Sequence, residues 1–380
     1  MDHRKYATVL VIALLVITPS GATRAQDGAT SATGDWRLRG RLQLDAASFD
    51  GGDSLLQDEL AIRRGRLALS GNLWAGWRMK LEYELSGSTP GPKSIWLRHD
   101  LGDKGVLTLG HFKESLGLQS ATSSRYSTFM ERALPNVNSP GYRLGAKFAT
   151  FGEYWSTSFG VTGGRLTDDH NHETDGVGVF FRGVLNPGTS KKRLWHFGAS
   201  VDSRSHGTDD SIRLRSRPES DLTDERLVDS GRFSGLDRSL RYALEFAWKY
   251  KSLNVQSESF GIQVQRIAEP MLEFSGWYGQ ISWFVTGESR NYNRDRGSFG
   301  RTKPKKSFGA WEIAVRHSEL DLNDGEVFGG EEFNTTIGLN WYASKNIRLS
   351  LNYVDAKARP DATSVERDIS VVQGRFQFIF

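Results

Sequence analysis

The feature that most limits what this chain can fold into is an alternation of apolar and polar residues. It recurs in about sixteen segments from residue 36 to the last residue, Phe380. In the tail, Phe376, Phe378 and Phe380 share one parity and Gln373, Arg375 and Gln377 the other. A strand has period two, so one face is apolar and the other polar and charged. The first segment sets Trp36, Leu38, Leu42 and Leu44 against Arg37, Arg39, Arg41, Gln43 and Asp45. The third sets Trp77, Met79, Leu81, Tyr83 and Leu85 against Arg78, Lys80, Glu82 and Glu84. Later segments repeat the rhythm: Tyr242, Leu244, Phe246, Trp248 and Tyr250 oppose Arg241, Glu245 and Lys249.

Two all-β architectures fit such strands. In a soluble sandwich the apolar faces form a core and the charged faces meet water. In a transmembrane barrel the apolar faces meet lipid and the polar faces line a lumen. The barrel is favoured because aromatics sit near strand ends, as interfacial girdles do, because segments reach about 10 residues, and because long and short connections alternate. The expected strands lie at about 36–49, 60–72, 77–87, 94–101, 105–112, 140–150, 154–163, 176–186, 193–204, 239–250, 254–266, 272–286, 309–322, 331–343, 346–356 and 366–380. An even number places both termini at the periplasmic end, and a barrel of this size leaves an aqueous channel. A terminal aromatic such as Phe380 is expected to be read by the barrel assembly machinery.

The N-terminus is read apart from the fold. His3, Arg4 and Lys5 precede an apolar run from Tyr6 to Thr18, and Thr23-Arg24-Ala25 offers a cleavage site. Residues 1–25 are therefore expected to be a secretory signal, 26–34 a short linker and 35–380 a transmembrane β-barrel domain. Mean hydropathy is −0.47, which reads as soluble only if strands that show half their residues to lipid are overlooked. There is no cysteine, which excludes disulfides and thiolate metal sites. The net charge of +4 is mild, so placement matters more than the sum.

Three connections are too long for turns. About 113–139 and about 205–238 are expected outside, the second as an external cap of mixed charge; about 287–308 is expected at the periplasmic end. The last holds Arg290, Arg294, Arg296, Arg301, Lys303, Lys305 and Lys306 against Glu288 and Asp295.

The stretch GHFKESLGLQSATSSRYSTFMERALP (110–135) resembles the phosphate-selective porin O and P family, as do RRGRLALSGNLWAGWRMKLEYEL (63–85), TGESRNY (286–292) and GAWEIAVRHSELDL (309–322). The likeness covers the whole mature chain. It implies an outer-membrane homotrimer of sixteen-stranded anion channels, each with an external loop folded into the pore. It also implies a constriction built from basic residues of that loop and of the seventh periplasmic turn. Those positions are Lys113, Arg125 and Arg132 on the loop, with Arg290, Arg294, Arg301, Lys303, Lys305 and Lys306 on the turn. Where well-known members carry lysine in the loop motif, this chain has Arg125; arginine binds phosphate bidentately and is expected to release it more slowly.

The residues support the same chemistry. The polar faces collect Arg37, Arg39, Arg41, Arg64, Arg66, Arg78, Lys80, Arg98, Arg143, Lys147, Arg182, Arg241, Lys249, Arg316, Arg348 and Arg375. In a closed barrel they point into the lumen, Arg37, Arg39 and Arg41 as a ladder. An anion crossing a narrow pore loses water, and guanidinium and ammonium groups replace those hydrogen bonds. A series of moderate sites conducts where one tight site traps. About half of these cations are expected to pair with lumen acids such as Asp45, Glu82, Glu84, Glu245 and Glu312.

Other partners expected are lipid and lipopolysaccharide around the barrel and small inorganic anions within it. No cofactor or metal is expected; Asp168-Asp169-His170-Asn171-His172-Glu173 reads as a solvated loop with incidental histidines. Nucleic acid is not expected, because aromatics oppose the basic residues and cannot stack beside them. No enzyme is expected: His317 and Ser318 are adjacent, so they face opposite sides of one strand. The alternative function is a general, weakly anion-selective porin; an outer-membrane hydrolase is a remote one.

Overall fold

The computed structural model describes residues 35–51, 56–74, 76–87, 90–166, 176–190, 192–207, 210–360 and 365–380. The expected signal, the linker up to 34 and the Asp168–Glu173 run lie outside the described residues. Twenty strands follow in order. They are β1 (Arg37–Asp50), β2 (Glu59–Asn72), β3 (Trp77–Glu84), β4 (Gly91–Asp100), β5 (Val106–Glu114), β6 (Gly141–Phe151), β7 (Trp155–Thr162), β8 (Gly178–Leu185), β9 (Arg193–Ser205), β10 (Ile212–Ser216), β11 (Val228–Phe233), β12 (Leu236–Tyr250), β13 (Leu253–Arg266), β14 (Glu269–Phe284), β15 (Tyr292–Asn293), β16 (Ser298–Phe299), β17 (Ala310–Asp324), β18 (Val327–Tyr342), β19 (Ile347–Arg359) and β20 (Arg367–Ile379). Sixteen of them close an antiparallel barrel, each beside its neighbour in sequence; β10–β11 and β15–β16 are separate hairpins.

The seam is β1 against β20, with Asp45 opposite Arg375 and Leu42 opposite Phe378. Gly40 and Phe380 exchange backbone hydrogen bonds at 3.2 Å. The Phe380 ring covers Gly40 so closely that a Cβ there would overlap it; the glycine makes room for the terminal aromatic. The start of β1 and the end of β20 lie at one end, periplasmic in an outer-membrane barrel. Tryptophans gather outside near that end: Trp36, Trp74, Trp155, Trp195 and Trp283 are all at least 40% exposed. This is the amphipathic belt of a membrane interface.

The alternation inverts partway along the longer wall. On β13, Asn254, Gln256 and Glu258 point inward, followed by Phe260, Ile262 and Val264 on the same parity, all buried. Outside, Leu253 and Val255 give way to Ser257, Ser259, Gln263 and Gln265. Strand β19 does the same, from Arg348, Ser350 and Asn352 inward to Val354, Ala356 and Ala358. Above that level β13 and β19 turn a polar face outward and an apolar face inward.

Residues 210–235, from the connection between β9 and β12, cover this inner apolar surface. Ile212, Leu214, Leu222, Leu227, Val228 and Phe233 are buried against Ile262, Val264, Leu272, Phe274, Leu320, Val354 and Val371. Phe233 stacks on Phe274 at 5.7 Å. The sequence suggested an external cap; the structure instead folds the segment into the barrel. Each buried leucine or phenylalanine contributes about 1.5–3 kcal/mol, so the segment is a fixed inner wall. At its turn Glu219 adopts a left-handed backbone (φ 48°). Its carboxylate accepts from Arg316, from Ser318 Oγ (2.6 Å) and from Thr336 Oγ1 (2.6 Å).

Candidate functional site: a lumen narrowed by two inserted segments

The first inserted segment follows β5. Pairing between β4 and β5 ends at Ile95 with His111, and Phe112 to Glu114 pair only with β6. The hairpin thus leaves the wall and its loop crosses the lumen. Glu258 on the far wall accepts the N–H groups of Leu118 (2.5 Å) and Gln119 (2.8 Å). The loop then runs along a row of donors. Arg348 holds the carbonyl of Ser127 (2.6 Å), Asn340 that of Thr128 (2.9 Å), Arg375 that of Met130 (2.6 Å) and Arg316 that of Glu131 (3.1 Å). Three strand arginines therefore serve as clamps on loop backbone.

Glu131 is the loop's main acidic anchor, with Arg63 at 2.9 Å, Arg375 at 2.7 Å and Arg64 at 3.6 Å. Burial disfavours its charge, but these three guanidiniums hold its pKa well below the ordinary glutamate value. A β-bulge between β1 and β2 makes this possible: Gln43 pairs with Arg64 and Leu44 with Ile62, leaving Arg63 as the extra residue. Arg63 was not among the sequence candidates, because strict alternation assigns it to the lipid face. Arg132 donates to the carbonyls of Gln119 (3.2 Å) and Thr122 (3.3 Å), and burial lowers its pKa. Lys113 donates to Ser120 O (2.8 Å). Arg125 is half-buried and its side chain has no ion-pair partner among the described residues.

The second inserted segment is the long periplasmic connection 285–309. Arg182, paired with Glu245, donates to Arg296 O (3.1 Å) and Gly297 O (2.8 Å). Lys249 donates to Arg290 O (2.8 Å), and His196 Nδ1 lies 2.6 Å from Tyr292 Oη. The two insertions meet where Phe299 N–H donates to Thr122 Oγ1 (3.2 Å). Arg290 is buried, stacks 3.7 Å above Phe299 and donates to Gln256 (3.1 Å); burial lowers its pKa. Arg294 is exposed, and Lys303, Lys305 and Lys306 are exposed at the mouth. Arg301 is half-buried beside Arg125, Lys345 and Arg348 in a small cleft with no acidic residue in its wall. Arg348 is 2% exposed, and its Nε and Nη2 have no hydrogen-bond partner at standard geometry among the described residues.

Between the two inserted segments and the wall of β3 to β8 lies a cavity of about 620 Å³. Arg78, Arg98, Lys147, Arg182 and Arg296 line it against Asp100 and Asp295. Arg98 lies over Trp96 (4.3 Å) and donates to Thr108 Oγ1 (3.2 Å); Lys147 lies over the Phe112 ring (4.9 Å). Neither has an ion-pair partner among the described residues.

Of the remaining lumen candidates, Arg37 and Arg39 are exposed at the mouth and Arg41 is buried, donating to Ser124 Oγ (2.7 Å). Arg64 donates to Gln43 (3.0 Å). Arg66 is paired with Glu82 and Glu84, and Lys80 with Glu82. Arg78 pairs with Asp100 (3.4 Å), Arg241 with Asp202 (3.3 Å) and Arg375 with Asp45 (2.5 Å); Arg143 is buried. One constellation had no sequence signal. His206 Nε2 lies 2.8 Å from Ser239 Oγ, and its Nδ1 3.3 Å from Asp210. Ser239 is 1% exposed, so its hydroxyl is shut away from solutes.

A family model described as phosphate-selective porin O and P matches residues 37–380. The chain belongs to this family. Porin O of Pseudomonas aeruginosa is 27% identical over 90% of this porin and 89% of its own length. An uncharacterised protein of Caulobacter vibrioides is 26% identical over 92% and 75%. Among solved structures, an anion-selective porin from Comamonas acidovorans aligns at TM-score 0.60 and 11% identity, covering 91% of this chain and all of that one. The trimer form of OmpT from Vibrio cholerae aligns at TM-score 0.56 and 10% identity, covering 91% and 99%. The porin is thus an outer-membrane anion channel with a closed sixteen-strand barrel.

Proposed function

We propose that this chain carries small phosphate-class anions, namely orthophosphate, pyrophosphate and short polyphosphate, by passive diffusion as a homotrimer in the bacterial outer membrane. The observation that carries the reading is the cavity of about 620 Å³ lined by Arg78, Arg98, Lys147 and Arg296. An anion in the cavity exchanges water for several charge-assisted donors of moderate strength, then steps to the next set. The name of the family supports phosphate as cargo, and the trimeric form of a fold neighbour supports the assembly.

A second reading, a general weakly selective porin, is favoured by one feature. Arg66, Arg182 and Arg375 are neutralised by acids, which weakens the field. Single-channel current in a planar bilayer separates the two. Reversal potential under a KCl gradient is measured, and phosphate is titrated against chloride current in wild type, Arg125→Ala and Lys305→Ala. Anion selectivity with phosphate block, weakened in either variant, supports the proposal. A large conductance indifferent to phosphate leaves the general porin.

A further inference from the structure

The outer surface at the periplasmic ends of β9 and β12 has a feature that conduction does not use. Arg193, Trp195 and Phe197 face outward, and Tyr250, Trp248 and Phe246 pair with them one for one. The rings form a continuous slab. Trp195 is nearly parallel to Phe197 (6.1 Å, 4°), Trp248 stacks with Tyr250 (6.3 Å, 18°), and Trp195 lies 6.4 Å from Trp248. Trp195, Phe197 and Tyr250 are 40%, 46% and 49% exposed, an apolar face at the depth where lipid headgroups meet acyl chains.

Three cations edge this slab. Arg193 is directly opposite Tyr250 on the outward parity. Lys251 holds its ammonium 5.2 Å from the Tyr250 ring. Its left-handed backbone (φ 53°) belongs to the turn that joins β12 to β13, and its N–H donates to Lys192 O at 2.6 Å. Lys192, Arg193 and Lys251 are thereby brought together from two neighbouring turns. All three are exposed, and none has an ion-pair partner among the described residues.

We propose that this patch binds an anionic phospholipid of the inner leaflet. The phosphodiester sits among Lys192, Arg193 and Lys251, and an acyl chain lies along Trp195, Phe197 and Trp248. Aromatic rings of this kind settle at headgroup depth. Long cationic side chains reach from there to the lipid phosphates. A free inorganic anion would use the three charges but leave the apolar slab uncovered; a zwitterionic lipid would cover the slab but leave the charges unneutralised. Only an anionic lipid satisfies both.

The test is native mass spectrometry of the full-length protein equilibrated with equal amounts of phosphatidylglycerol and phosphatidylcholine of the same chains. Wild type is expected to retain phosphatidylglycerol preferentially. The variant Lys192→Ala/Arg193→Ala/Lys251→Ala should lose about five-fold in that preference for each cation removed. Lys104→Ala, an exposed cation on another periplasmic turn, should leave it intact. Lys251→Glu serves if the triple variant does not fold, with the same direction and a smaller size. Equal retention of the two lipids by wild type, or an unchanged preference in the variants, overturns the proposal. Displacement of the lipid by millimolar inorganic phosphate would reassign the cations to a free anion. Because the readout is bound lipid and not current, its failure leaves the channel reading untouched.

Discussion

Replacing Arg98 and Lys147 by glutamine should reduce anion selectivity without disturbing the inserted segments. Both line the 620 Å³ cavity, and neither holds a carboxylate or a loop carbonyl, so their loss leaves no buried acid unpaired. A cavity of that volume has a radius of about 5 Å, so each wall charge acts on a central ion over about 5–6 Å. At the dielectric of water the interaction is about 0.7 kcal/mol, and 0.1 M salt reduces it to about 0.4 kcal/mol. Two cations together give about 0.9 kcal/mol, or about a four-fold enrichment of a monovalent anion and an equal depletion of a cation. Removing both should lower the anion-to-cation permeability ratio about twenty-fold at 0.1 M salt, and by less at 1 M, where screening is stronger. The assay is the zero-current potential across a bilayer with a KCl gradient, on protein whose unboiled gel mobility shows a closed barrel. A potential unchanged by the double substitution would refute the assignment of this cavity to the conduction path. A large drop that persists at 1 M salt would refute the electrostatic explanation.

Arg375→Met should destabilise the barrel by about 3–5 kcal/mol, because it strips Asp45 and Glu131 of a buried partner; a lower thermal midpoint and noisier single-channel current would register it. Gly40→Val should displace the Phe380 ring from the seam at a cost of about 1–3 kcal/mol, seen as a lower temperature for loss of the compact gel band. Glu131 has its folded-state pKa held below the unfolded value. Its contribution is therefore full above the ordinary glutamate pKa and is lost as pH falls through the folded value; channel noise should rise only under strong acid, and Glu131→Gln should show that noise already at neutral pH. Since the chain has no cysteine, single substitutions map the membrane edge. On β14, Ser275→Cys should react with a water-soluble maleimide and Ile281→Cys should not.

The strand count and most boundaries were legible because half-lipid, half-water strands write their geometry into alternate residues. The expected segment 254–266 emerges as Leu253–Arg266, and 77–87 as Trp77–Glu84. The electrostatics of the lumen were less legible. Alternation tells which cations point inward but not what they meet there. Arg348 and Arg316 turn out to grip loop carbonyls, and Arg375 holds a carbonyl together with two acids. All of these partners except Asp45, which faces Arg375 across the seam, come from a loop more than 180 residues distant in sequence, and nothing local encodes the contact. The bulge at Arg63 was hidden for a related reason: one extra residue flips parity, and the register shift is visible only once β1 and β2 are paired.

The inward turn of 210–235 did have a sequence signal, and it lies in the wall, not in the loop. Past Glu258 on β13, Ser318 on β17, Asn352 on β19 and Gln373 on β20, the inward parity changes from polar to apolar. On β19 the outward parity changes at the same level, from Leu349, Leu351 and Tyr353 to Asp355, Lys357 and Arg359. A polar outer face means the strand has left the hydrocarbon, since a charge there costs about 2–4 kcal/mol at the midplane. An apolar inner face in an aqueous channel is equally unstable unless something covers it. The two reversals together require a covering segment inside the barrel above the membrane. The long external connection nearest in sequence to those strands, with Ile212, Leu214, Leu222 and Leu227, carries the apolar side chains to do so. Inversion of amphipathicity within a single strand thus marks both the membrane boundary and the seat of an inserted loop.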